Sequence, residues 1–256
     1  MFHSDNATIT GTKHSKTAIG NQDYSLTGTV DDSSYLLISD GCSSGRHTDL
    51  GSRFITLSAR ELVCQAPFNP LLFKDELLEI LSTKKHKLTP DDWLATLGVA
   101  VIRGEYLQVA FMGDGHIIIK YTNGNIRLVS LEYTQNRPYY LAYDMFNYTI
   151  PDSDNHFVIH NRLLDSYGDI ITEDTQLYAE NKPYTDVFPL TDANFLAIST
   201  DGLGTSSMGV EKMAMEVCAI KSATGCFMKR RMGWIMRDST RNVMDDFTVA
   251  AAIRST

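Results

Sequence analysis

The chain has 256 residues, 43% of them hydrophobic, which suffices for one large domain with a substantial core. Its 31 acidic residues outnumber the 23 lysines and arginines, and a formal charge of -8 argues against a protein that grips nucleic-acid phosphates. Because no apolar stretch could span a bilayer, the N-terminus lacks a signal-peptide core and the four cysteines lack zinc spacing, we expect a cytoplasmic protein without membrane or nucleic-acid partners.

Strand patterns dominate the first forty residues. Apolar or alternating runs predict three strands, over residues 8–14, 24–30 and 34–39. Asp40-Gly41 ends the third strand, and Asp49 stands where we expect the N-cap of a helix over 50–65. The apolar face of that helix is predicted from Leu50, Phe54 and Leu57. A second helix is predicted over 71–85.

The middle of the chain reads as a series of strands. Four are predicted, over residues 96–103, 106–112, 117–121 and 126–130. Residues 104–105 and 123–125 between them are typical of hairpin turns, so we predict an antiparallel β-meander. Residues 131–190 give weaker patterns, and we interpret them as a loop, flap or insertion with one strand over 156–162.

The last part of the chain returns to clear patterns. A short strand over 195–200 ends in Asp201-Gly202, helical patterns cover 210–237, and a final strand covers 247–253. Helices do not alternate one for one with strands, which disfavours a doubly wound parallel sheet. The pattern instead favours an α+β fold or a sheet sandwich with outer helices.

Aspartates recur beside the predicted strands. They are Asp23, Asp40, Asp114, Asp201 and Asp245. A single Asp-Gly pair is an ordinary turn, but repetition next to apolar strands would bring like charges together. Such charges are tolerated when cations neutralise them, and carboxylates are natural ligands of hard divalent cations. The pattern therefore predicts a metal site built from distant aspartates.

Six motifs carry a resemblance to a known family. In chain order they are residues 21–23 (NQD), 37–41 (LISDG), 96–100 (TLGVA), 113–115 (GDG), 199–203 (STDGL) and 245–249 (DDFTV). Each is weak alone, but their order and spacing resemble the PPM/PP2C metal-dependent Ser/Thr protein phosphatases, in their compact bacterial branch. The resemblance implies two packed antiparallel β-sheets flanked by helices, in one domain over 1–256 with a flap or insertion within 131–190.

The resemblance also implies a binuclear Mn²⁺ or Mg²⁺ centre. Carried over by position, Asp40 would bridge the two ions, and Asp23 would sit beside them. The other implied ligands are the Gly41 carbonyl on one ion, Asp201 and Asp245 on the other, and Asp114 on a third, weaker ion. Water activated by the two ions would hydrolyse phosphoserine or phosphothreonine in a protein substrate, with a cognate Ser/Thr kinase as a further partner.

This sequence departs from the family pattern in three places. The arginine that often precedes the first motif is missing, and His14 or Lys13 is a candidate to contact substrate phosphate instead. Cys42-Ser43 stands where the family commonly has a glycine pair after Asp40-Gly41, and Arg46 or His47 in that loop is a second candidate. Thr205 stands where the family often has another acid, which bears on the third ion. Tyr139 and Tyr140 lie in the predicted flap and are also candidates for substrate contact.

Two other functions stay open. Residues 41–45 (GCSSG) match the G-x-S-x-G elbow of serine hydrolases, with Ser43 as nucleophile. The acid of the triad would be Asp144 or Asp154, and the histidine would be His156 or His160, all further along the chain. A serine hydrolase would keep its activity in EDTA, unlike the phosphatase. The same fold could also be a catalytically inactive module that binds phosphoproteins.

Overall fold

The computed structural model describes residues 2–135, 137–148, 156–178, 182–238 and 241–255. The strands are β1 (Phe2–Ile9), β2 (Tyr24–Val30), β3 (Ser33–Ser39), β4 (Leu97–Arg103), β5 (Tyr106–Met112), β6 (Gly115–Tyr121), β7 (Ile126–Tyr133), β8 (Phe157–Leu164), β9 (Ile170–Tyr178), β10 (Tyr184–Pro189), β11 (Ala193–Ser199) and β12 (Phe247–Arg254). The α-helices are α1 (Thr12–Thr17), α2 (Thr48–Gln65), α3 (Phe73–Ser82), α4 (Leu141–Phe146), α5 (Val210–Cys218) and α6 (Phe227–Ile235).

The strands form two antiparallel sheets. One has seven strands in the order β1-β12-β11-β6-β7-β8-β9, and the other has five in the order β10-β5-β4-β3-β2. A hydrophobic core lies between the sheets and under α2 and α3, and a second core lies between the seven-stranded sheet and α5 and α6. The predicted fold of two packed antiparallel sheets flanked by helices is confirmed.

Strand β6 shows how the sequence builds these layers. Ile117 and Ile119 belong to the core between the sheets, whereas Ile118 belongs to the core beneath α5 and α6. Successive side chains of a strand point to opposite faces, so a run of three isoleucines serves both cores. None of the helices in the described part of the chain is long and apolar enough to cross a membrane.

One strand prediction and several helix predictions need correction. The strand predicted over 8–14 ends at Ile9, and the chain then turns into α1. Helix α2 begins at Thr48 after His47, so Asp49 lies in its first turn and is not the N-cap. Leu50 and Leu57 are 38% and 47% exposed, and Phe54 is partly buried against the core. The fully buried face instead centres on Ile55 and small residues such as Gly51 and Ala59. The helical region 210–237 is divided into α5 and α6.

The predicted β-meander is wrong at one point. Strands β4 and β5 form a hairpin in the five-stranded sheet, and β6 and β7 form one in the seven-stranded sheet. Residues 113–115 between β5 and β6 carry the chain from one sheet to the other. Gly113 and Gly115 have φ angles of +109° and +143°, and a Cβ on Gly115 would lie 2.7 Å from the Ser199 carbonyl oxygen. Only glycine fits such a tight crossing.

Residues 131–190 contain more regular structure than the sequence indicates. The strand predicted over 156–162 is confirmed as β8. The described residues of this region also form the end of β7, all of α4, and strands β9 and β10. Every side chain of β9 is exposed or partly exposed, so the strand lacks the apolar alternation that would identify it in a sequence.

Candidate metal centre

Strand pairing brings the predicted aspartates to one end of the two sheets. In the five-stranded sheet Tyr24 pairs with Ser39, which places Asp23 beside Asp40. In the seven-stranded sheet, Ser199 at the end of β11 pairs with both His116 and Val249. That register places three further acids at the same edge: Asp114, Asp201 and Asp245.

Four of the five acids line one small pocket of about 100 Å³. Among the residues that the structure describes, the lining is formed by Asp40, Gly41, Cys42, Ser43, Asp114, Pro138, Tyr140, Asp201 and Asp245. Asp23 is buried behind this wall, and its carboxyl group interacts with that of Asp40. No basic side chain belongs to the lining, so nothing in it balances the charge of the carboxylates.

The environment of these acids favours their protonated forms when no cation is present. Burial raises the pKa of Asp23 to about 7 and that of Asp201 to about 6. Burial, followed by the charges of Asp23 and Asp201, raises the pKa of Asp40 well above its usual range. Burial and the charge of Asp201 do the same for Asp114. Clustered acids of this kind typify sites that bind cations or perform chemistry.

Thr200 joins the two sheets at the pocket. Its Oγ1 donates a 2.8 Å hydrogen bond to Oδ2 of Asp23 and accepts one of 3.0 Å from the backbone N–H of Thr248. The other carboxylate oxygen of Asp23, Oδ1, is buried and has no hydrogen-bond partner. A buried, unpartnered carboxylate oxygen is costly, and a cation or a water bound to a cation would satisfy it.

The turn before β12 places two aspartates in different settings. The side chain of Asp245 is 36% exposed and lines the pocket, whereas that of Asp246 is 2% exposed. Asp246 accepts hydrogen bonds from the backbone N–H groups of Gly11 (2.9 Å) and Gln22 (2.7 Å). Asp246 therefore fastens the N-terminal segment to the turn that carries Asp245. We did not predict this role from the sequence.

His14 lies behind the pocket. Its side chain is buried, with Nε2 3.7 Å from Asp245 Oδ1 and Nδ1 3.0 Å from Asp246 Oδ2. Because His14 does not line the pocket, its predicted contact with substrate phosphate has no support in this geometry. Arg46 is exposed in the loop before α2 and is also absent from the lining. Neither side chain belongs to the pocket lining, and a contact of either one with substrate phosphate stays a prediction.

His116 supports Asp201 from beneath and was also missed. Its Nδ1 lies 3.0 Å from Oγ of Ser130, and its ring is hydrogen-bonded to the backbone of Asp201. Burial lowers the pKa of His116 to about 3, so the ring is neutral at neutral pH. A histidine next to a strand gives no sequence signal for such a role, because the contact depends on how β6, β7 and the turn after β11 assemble.

The pocket suits hard divalent cations by the chemistry of its donors. Its charged groups are all carboxylates, which Mn²⁺ and Mg²⁺ prefer, and Asp23 offers an unused oxygen behind them. Among the described residues, no three His, Cys, Asp or Glu side chains are already arranged around a common point.

Thr205 occupies the position where we noted a missing acid. Its hydroxyl donates to the Gly202 carbonyl oxygen at 2.9 Å and accepts from the Asp245 N–H at 3.2 Å. Thr205 thus links the two turns that carry Asp201 and Asp245. A third ion at Asp114 stays a prediction.

Within the described residues, no hydrogen-bonded chain of serine, histidine and acid supports the serine-hydrolase alternative. Ser43 is exposed at the pocket, but His160 faces Thr175 and Glu173 on the neighbouring strand. Asp144 bonds to Lys74 and Tyr139, and His156 is held through its backbone N–H by Thr134. Asp154 lies outside the described residues. A nucleophile elbow requires its histidine within hydrogen-bond reach of the serine.

The sequence of this chain matches the model of a known protein family. The family model for Protein phosphatase 2C matches residues 10–225. The chain belongs to the protein phosphatase 2C family. No curated protein matches the sequence.

Solved structures show the same fold at low sequence identity. Serine/threonine phosphatase Stp1 from Staphylococcus aureus is 12% identical, with 100% of this chain and 96% of that chain covered and a TM-score of 0.62. The S. agalactiae serine/threonine phosphatase is 17% identical, with both chains fully covered and a TM-score of 0.62. The Mycobacterium tuberculosis phosphatase PstP/Ppp is 15% identical, with 100% and 99% covered and a TM-score of 0.60. These likenesses support the fold described above.

Proposed function

We propose that this protein is a metal-dependent serine/threonine protein phosphatase. The observation that carries the proposal is the convergence of Asp23, Asp40, Asp114, Asp201 and Asp245 at one end of the sandwich. Membership of the protein phosphatase 2C family supports it independently. Phosphorylated proteins would be the substrates, with a cognate kinase supplying them. The four cysteines are free, in keeping with a cytoplasmic location.

The chain's own residues account for binding and charge. Asp40, Asp201 and Asp245 would hold two divalent cations together with the Gly41 carbonyl, and Asp23 would support Asp40 from behind. When bound, such a pair supplies Lewis acidity toward phosphoryl oxygens and lowers the pKa of water. The pocket is small, so a phosphoryl group enters it while the peptide remains outside.

The narrow crossing at residues 113–115 and the Thr200 bridge give the site its rigidity. Thr200 links the sheets, and Gly202 approaches the Asp246 carbonyl so closely that a Cβ there would lie 1.9 Å from its oxygen. Such supports keep the carboxylates within the small tolerance that catalysis requires.

A matched pair of variants tests the proposal. Asp40 follows β3 and Asp32 precedes it, so the same substitution can be placed at the two ends of one strand. With Mn²⁺ present, we expect Asp40→Asn to lower kcat toward p-nitrophenyl phosphate and a phosphothreonine peptide on the order of 100-fold or more. Asp32 is exposed and distant from the pocket, so Asp32→Asn should retain wild-type rates.

Chelation separates the phosphatase from the other candidates. Wild-type activity should disappear in EDTA and return with excess Mn²⁺. Esterase activity that persists in EDTA and depends on Ser43 would instead establish the serine hydrolase. A well-folded, Mn²⁺-binding protein without phosphatase activity would establish the inactive phosphoprotein-binding module.

A further inference from the structure

Tyr140 is the one aromatic side chain in the lining of the acidic pocket. It lies at the start of α4, is 8% exposed and stands opposite Cys42 on the pocket wall. Its hydroxyl group is near enough to Asp40 and Asp114 to interact with both charges. A protonated phenol is therefore presented to the same space that a phosphoryl group would enter.

The neighbouring side chains hold Tyr140 in place. Tyr139 points elsewhere and donates a hydrogen bond to the carboxylate of Asp144. Lys74 of α3 lies 2.9 Å from the same carboxylate and so fastens α4 to the outer helix layer. The ring of Tyr143 packs edge-on against that of Tyr140, with 5.5 Å between ring centroids. Tyr140 is thus positioned before any substrate arrives.

The hydroxyl group of Tyr140 is available to a new acceptor. Within the described part of the chain, the phenol lies close to the thiol of Cys42, whose Sγ is 3.0 Å from Oγ of Ser44, and sulfur is a weak acceptor. Phosphoryl oxygens are strong acceptors, and hydrogen bonds to charged oxygens are about twice as strong as neutral ones. Exchange of the thiol for a phosphoryl oxygen would therefore be favourable.

Other donors in the pocket are few. The lining has no lysine, arginine or histidine, and both Arg46 and His14 lie outside it. Ser43 is exposed at the rim, in the loop before α2. A phosphoryl group has more oxygens to orient than bound cations alone would satisfy, so a fixed neutral donor on the wall has a defined task.

We propose that Tyr140 is a substrate-binding residue whose phenolic O–H donates a hydrogen bond to a phosphoryl oxygen of the phosphate monoester and of the inorganic phosphate product. The inference rests on the proposed function, since the ligand is the substrate of that site. Tyr140 takes over the orienting task for which this sequence lacks an arginine near the first motif.

The test uses Tyr140→Phe, which removes a single oxygen atom. In the Mn²⁺-loaded protein we expect the inhibition constant of inorganic phosphate and the KM for p-nitrophenyl phosphate to rise together by about tenfold. The half-saturating Mn²⁺ concentration should not change, because the carboxylates are untouched. If the phenol binds the phosphoryl group equally well in the ground state and in the transition state, its removal raises KM and leaves kcat nearly unchanged.

Tyr35→Phe is the matched control, because Tyr35 is also buried, lies outside the pocket lining and uses its hydroxyl to accept a hydrogen bond from Arg60. This variant should leave the inhibition constant of inorganic phosphate and the KM for p-nitrophenyl phosphate at wild-type values. Unchanged constants in Tyr140→Phe would overturn the inference, as would an equal change in both variants. If the wild-type protein proves inactive, the proposed function fails. Calorimetric binding of inorganic phosphate to both Mn²⁺-loaded variants still decides the role of Tyr140.

Discussion

Asp245 and Asp246 show how adjacent residues of one type can have separate tasks. Asp245 faces the pocket with an exposed carboxylate, and Asp246 is buried and accepts two backbone N–H groups. Those N–H groups belong to Gly11 and Gln22, more than 220 residues away in the chain. Asp245 is therefore placed to bind a cation, and Asp246 fixes the position of the turn that carries Asp245.

Asparagine substitutions should separate these tasks. In Asp246→Asn, an amide NH₂ group replaces one acceptor and faces a backbone N–H, so the free energy of unfolding should fall by about 1–3 kcal/mol. Asp245→Asn should leave the stability of the metal-free protein nearly unchanged and weaken Mn²⁺ binding at least tenfold. Denaturant unfolding in EDTA and calorimetric Mn²⁺ titration measure the two effects. The proposed roles would be contradicted if Asp245→Asn lowered the free energy of unfolding more than Asp246→Asn did, and Asp246→Asn weakened Mn²⁺ binding more than Asp245→Asn did.

At the level of elements, local patterns identified most strands but not their sheets. The strand predicted over 106–112 coincides with β5, and the final strand over 247–253 is one residue short of β12. The hairpins β4–β5 and β6–β7 were also correct. Nothing local, however, distinguishes a turn within a sheet from a crossing between sheets. The meander prediction failed at residues 113–115 for that reason.

The predicted buried face of helix α2 was wrong for a different reason. We predicted its buried face from Leu50, Phe54 and Leu57, yet the part of the helix that packs close to the site buries Gly51 and Ser52. Gly51 would place a Cβ 1.9 Å from the Asp92 carbonyl oxygen, and the hydroxyl of Ser52 donates to the Gln22 carbonyl oxygen at 2.7 Å. Close approach, which tertiary structure imposes, overrides hydrophobic periodicity here.

The candidate site followed from its aspartates but not from their supports. Acids directly beside apolar strands are visible in a sequence, and the structure gathers all five of them at one end of the sheets. Thr200, His116 and Asp246 were missed because each acts through a contact that forms only in the assembled fold. The bond from Thr200 to Asp23, for example, spans 177 residues.

For the whole molecule, the clustered acids predict an unusual dependence of stability on pH. The unfolded chain releases these protons near 3.8, whereas burial raises the pKa of Asp201 to about 6 and that of Asp23 to about 7. The folded state therefore binds more protons than the unfolded state between these values, and the metal-free protein loses stability as pH rises through them. Between pH 5 and 7.5 we expect Tm in EDTA to fall by roughly 5 °C or more.

Mn²⁺ should reverse that trend, since cations bind the deprotonated carboxylates and stabilise only the folded state. Its effect on Tm should be small at pH 5 and large at pH 7.5. Differential scanning calorimetry at both pH values, with and without Mn²⁺, provides the comparison. A metal-free Tm that rises from pH 5 to 7.5, with an equal Mn²⁺ effect at both values, would count against a shared acidic pocket.

The claim on which the rest depends is that these carboxylates hold divalent cations together. It is tested most directly by anomalous difference density from crystals soaked in Mn²⁺ and measured at the manganese edge. We expect two peaks roughly 3.5–4 Å apart within ligand distance of Asp40, Asp201 and Asp245. An acidic pocket without manganese density, in crystals whose phosphatase activity persists in EDTA, would contradict it.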